Sequence, residues 1–79
     1  MDKRAIEYQA GQVARQAREV VNASRQVMRS VRRDNEHGIE LHYTIMMHEC
    51  DKLTALMEDV LIHITDAEDA GAAEAEADA

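Results

Sequence analysis

Between Ile39 and Ile64 the large apolar residues fall at Ile39, Tyr43, Met46, Leu53, Met57, Val60 and Ile64, with Cys50 filling the one gap. The steps alternate four and three without a break, which is the period of one face of an α-helix in a helix pair. A second row, Leu41, Ile45, His48, Ala55 and Ile62, lies beside the first. A helix with a single neighbour carries a single apolar stripe. This one is apolar over much more of its circumference, so it is expected to touch more than one helix. The second row is accordingly expected in a subunit interface.

The chain supplies one other amphipathic stretch. Ile6, Val13, Val20 and Val27 recur every seven residues, alternating with Ala10, Ala17, Ser24 and Val31, while Ala14, Val21 and Met28 widen the stripe. Small layers let a neighbouring helix approach closely and the larger ones fill the space between. Proline, Phe and Trp are absent and good helix formers dominate, so the expected class is all-α. Asp2 is placed to cap a first helix over about 2–33. Asn35 and Gly38, residues that tolerate the left-handed conformation, mark a turn over about 34–38, with Asp34 or Asn35 as the next cap. The second helix is expected over about 39–66. One continuous helix of about 65 residues is the competing reading, but helices beyond about 25 residues need a long partner. So short a turn makes the two helices antiparallel neighbours. Residues 67–79, an Ala/Glu/Asp repeat without a large apolar side chain, are expected to form a disordered acidic tail.

This hairpin pattern resembles the Rop-type dimeric four-helix bundles, on Ala10, Ala17 and Ser24 standing between Ile6, Val13, Val20 and Val27. The resemblance covers the helices and not the tail. It implies a homodimer of two hairpins and, by itself, no function.

Charge is divided between the halves. Residues 1–33 carry +5 and residues 34–79 carry −12, for a net charge of −7. Five arginines, Arg15, Arg18, Arg25, Arg29 and Arg32, share the face opposite the first stripe. A charged helix face is ordinarily solvated and mixed in sign. This one is of a single sign, the form a ridge takes when it grips a partner.

Sites for chemistry are not found in the pattern. Of His37, His42, His48 and His63, no two stand three or four apart as helical metal ligands must. Met46, Met47, Cys50 and Met57 are soft ligands, but at these positions they read as core. No nucleophile has a base and an orienting third group, and the glycines form no phosphate-binding loop. The expectation is a non-enzymatic interaction protein without metal, cofactor or small-molecule substrate. It is read as a homodimer that binds and inhibits or regulates another protein, with RNA or DNA binding through the arginines as the alternative. The N-terminal residues do not read as a signal peptide, no apolar run suits a membrane, and one cysteine suits a reduced compartment, so a cytoplasmic setting is expected.

Overall fold

The computed structural model describes the backbone of residues 3–78 and the side chains of residues 3–66. Two helices, α1 (Lys3–Arg32) and α2 (Glu36–Asp78), lie packed side by side. They are antiparallel: Gln16 meets Glu49, while Ser30, near the end of α1, meets Gly38, near the start of α2. The chain measures 67 × 17 × 12 Å, and its thin dimension is one helix diameter. It is a single layer. The helical backbone runs past the boundary expected near residue 66, and the acidic tail expected over 67–79 falls where side chains lie outside the described residues.

A single layer has no interior. Among the described side chains only Ala23 and Ser30 are buried, and no large side chain is fully covered. Ile6, Val13, Val20 and Val27 are half-buried, as are Ile39, Met46, Leu53 and Val60. These rows form the apolar half of the seam.

The turn is shorter than its composition suggests, and it is built differently. Asp34 takes the left-handed conformation, with φ 55°. Asn35 N–H donates to the Ser30 carbonyl at 2.9 Å and Asp34 N–H to the Val31 carbonyl at 3.1 Å. These are the two bonds of a Schellman ending, and they satisfy carbonyls that the last turn of α1 would leave bare. Asn35 then caps α2, its Oδ1 accepting from Gly38 N–H at 3.0 Å. Gly38 is therefore helical and has no positive φ. Its role is close approach: a Cβ there would lie 2.7 Å from Asn35 Nδ2 and 2.8 Å from Ser30 Oγ. Gly11 is the opposite case, since a Cβ would meet nothing within 4 Å.

The two glycines should respond with opposite signs. Gly38→Ala should destabilise by about 1 kcal/mol or more by displacing the cap. Gly11→Ala should stabilise by up to about 1 kcal/mol through helix propensity alone. Urea titrations followed by circular dichroism measure both.

Candidate functional site

The seam is half polar. On α1 the row next to Ile6, Val13, Val20 and Val27 is Gln9, Gln16, Ala23 and Ser30, all turned toward α2 and at least half-buried. On α2 the facing row includes His42, Glu49 and Leu56, which are half-buried too. Gln16 Nε2 lies 2.9 Å from the Glu49 backbone carbonyl and also donates to the Glu49 carboxylate. Lys52 adds an ion pair to the same carboxylate at 3.4 Å, one turn along. The hydrogen bond from Gln16, helped by Lys52, holds the Glu49 carboxyl below its ordinary value against the opposing effect of burial. Farther along, Gln9 Nε2 stands 3.4 Å from His63 Nδ1, and the Gln9 carboxamide oxygen is buried without a partner among the described residues.

This polar row rotates α2 away from the orientation its apolar spacing predicts. Tyr43 and Met57 belong to the expected seam, yet both are more than half exposed. Turning Glu49 inward to meet Gln16 rolls them outward. The signal was present as Gln9 and Gln16 at heptad spacing beside the valine row, opposite a Glu at the matching height.

Two apolar surfaces face outward. The larger is one broad flank of the hairpin, carrying Val21 and Met28 from α1 and Tyr43, Met47, Met57 and Leu61 from α2, all exposed. Between the helices it contains a shallow depression of about 280 Å³ lined by Ala10, Val13, Met57, Val60, Leu61 and Ile64. The smaller is the outer face of α2, where Leu41, Ile45, His48, Ala55 and Ile62 are all exposed in the single chain. The two surfaces lie on different sides of α2, separated by the line of Thr44, Asp51 and Glu58.

Arg15, Arg18, Arg25, Arg29 and Arg32 are all exposed, and none makes an ion pair with a described residue. Arg18 and Arg25 border the apolar flank, where they line a groove with Ala14, Ala17, Val21 and Asn22. Heptad spacing puts Arg32 in line with them, and Arg15 and Arg29 one row farther out. On the α2 edge of the flank the bordering charge is acidic, Glu58 lying beside Thr54, Met57 and Leu61.

Among the described residues, no three His, Cys, Asp or Glu side chains converge as a metal ion would require. No helix there is long and apolar enough to cross a membrane. The chain matches no protein-family model, no curated protein and no solved structure.

The Glu49 clamp has a pH signature. A carboxyl held below its ordinary value stabilises the fold above that value, and the contribution is lost as pH falls through the depressed one. Thermal melts of the wild type should therefore drop between about pH 5 and pH 3 more steeply than those of Glu49→Gln. The Gln side chain keeps the shape and a hydrogen bond without the charge. Gln16→Ala should raise the Glu49 carboxyl back toward its ordinary range, which carboxyl NMR titration reads directly.

Proposed function

We propose that this chain is a non-enzymatic interaction protein, a helical hairpin that self-associates and binds another protein to regulate it. One observation carries the reading. Among the described residues eleven large apolar side chains are exposed, whereas none is fully buried. Monomeric proteins rarely leave such continuous apolar surface in water, and surface of this kind marks protein–protein contact. A chain with a one-layer seam and two outward apolar faces gains most of its stability from what it binds. The self-associating surface brings two copies together, and the faces left open on the pair are available to the regulated protein.

A second reading, nucleic-acid binding, is favoured by one feature, the exposed and single-signed arginine rows. Against it stand the acidic second half, the net charge of −7 and only two aromatic residues, both Tyr, to stack on bases.

Light scattering and circular dichroism over a dilution series test the first reading. Mass and helicity should fall together on dilution, because the fold draws on the association. A fully helical monomer at high micromolar concentration would overturn it. Titration with labelled single- and double-stranded oligonucleotides separates the second. Phosphate contacts would lose orders of magnitude in affinity between about 50 and 200 mM salt, whereas an apolar protein interface would change little.

A further inference from the structure

We infer that the apolar flank is covered by a second copy of this chain whose turn lies at the same end of the bundle. This rests on the self-association proposed above and specifies its surface and symmetry. The outer face of α2 is the rival surface, and size separates the two. Six of the eleven exposed large apolar side chains lie on the flank, from both helices, and three lie on the outer face of α2. Only the flank also opens the apolar edge of the seam itself, through Ala10, Val13, Val60 and Ile64.

Two hairpins stacked flank to flank can be related by a two-fold axis in only two ways. An axis across the helices lays α1 on the partner's α1 and α2 on the partner's α2, with the turns at opposite ends. The border of arginines at Arg18 and Arg25 then meets its own copy, as does the acidic border at Asp51 and Glu58. Like charges placed face to face weaken an interface. An axis along the helices lays α1 on the partner's α2, and the two borders meet with opposite sign. The turns then lie side by side.

The register supports the second arrangement. Under an axis along the helices, the copy's α2 stands at the height of the chain's own α2. Gln16 meets Glu49 and Gln9 meets His63, so at about 1.5 Å per residue Arg25 comes within about one turn of the copy's Glu40. Asp51 falls within about one turn of Arg15 and Arg18. Glu40 and Asp51 are exposed in the single chain and have no ion-pair partner among the described residues. The arginines that read as a partner-binding ridge thus divide: Arg18 and Arg25 serve the pairing of copies, and Arg29 stays outward.

The full chain tests this with spin labels in the turn. Arg33 is exposed and its side chain takes no part in the cap bonds, so Arg33→Cys on a Cys50→Ala background takes one label per chain, once light scattering has shown that the variant still pairs. Turns at the same end place the labels within about 30 Å of each other. Turns at opposite ends place them about 45 Å or more apart, the length of α1. A dimer with the long distance overturns this inference and leaves self-association standing. A monomer at high micromolar concentration overturns both and gives the flank to a different protein. Face variants need no label. Met47→Glu with Leu61→Glu should yield monomers, and Ile45→Glu with Ile62→Glu should leave the mass unchanged; the reverse result moves the interface to the outer face of α2. Reversing Arg18 and Arg25 to Glu should weaken pairing at least about tenfold. Adding Glu40→Arg and Asp51→Arg should restore it, and failure to restore would overturn the assignment of the borders.

Discussion

Two helices side by side touch along one line, and each keeps most of its circumference in water. That geometric limit governs this molecule. A layer 12 Å thin can shelter a glycine, an alanine or a serine at its centre, but it cannot enclose a leucine or a methionine. The apolar side chains are therefore half-covered at best within one chain. Covering an apolar side chain is worth about 1.5–3 kcal/mol, and a half-covered one returns only part of that. Fixing the backbone of each residue costs about 1–2 kcal/mol, so an isolated hairpin of this design is poorly supplied with stability. The surfaces that complete it and the surfaces that give it a function are for this reason drawn from the same residues.

The polar half of the seam trades area for orientation. An all-apolar contact between two helices tolerates rotation and sliding, because one aliphatic side chain substitutes for another. Gln16 donating to both the backbone and the carboxylate of Glu49 does not tolerate either. It fixes which side of α2 faces α1, and so decides that Tyr43, Met47, Met57 and Leu61 rather than Glu49 and His42 are presented outward. Buried polar contacts that specify one arrangement at some expense of stability are well attested in helix pairs.

Much of this was legible in the residues. Heptad spacing in both halves and the absence of strand formers identify two helices, and Asn35 and Gly38 mark the break between them, over about 34–38. Two features escaped. The roll of α2 about its axis depends on a polar pair contributed by two distant segments, and counting apolar positions within one segment cannot register that. The construction of the turn escaped because Asn35 and Gly38 are the usual left-handed residues. Asp34 holds that conformation here, since the Schellman bonds and the Asn35 cap together over-determine it. The arginine spacing was also visible, but its division into a border and an outer row needed the position of the flank. The outer row of Leu41, Ile45, His48, Ala55 and Ile62 was read as a dimer interface, and in the single chain all five are exposed.

The left-handed Asp34 has a consequence for topology. It is the one described non-glycine residue with positive φ, and the residues on either side of the short turn are already helical. Were Asp34 and the capping Asn35 both to relax to helical φ and ψ, α1 and α2 would join into one straight rod. Every contact across the seam would then be out of reach of its own chain, and the same rows could meet only between two rods lying antiparallel. The backbone of two adjacent residues, Asp34 and Asn35, thus determines whether Gln16 finds Glu49 within its own molecule or in another. The contacts would be the same in either case, and only their ownership would change.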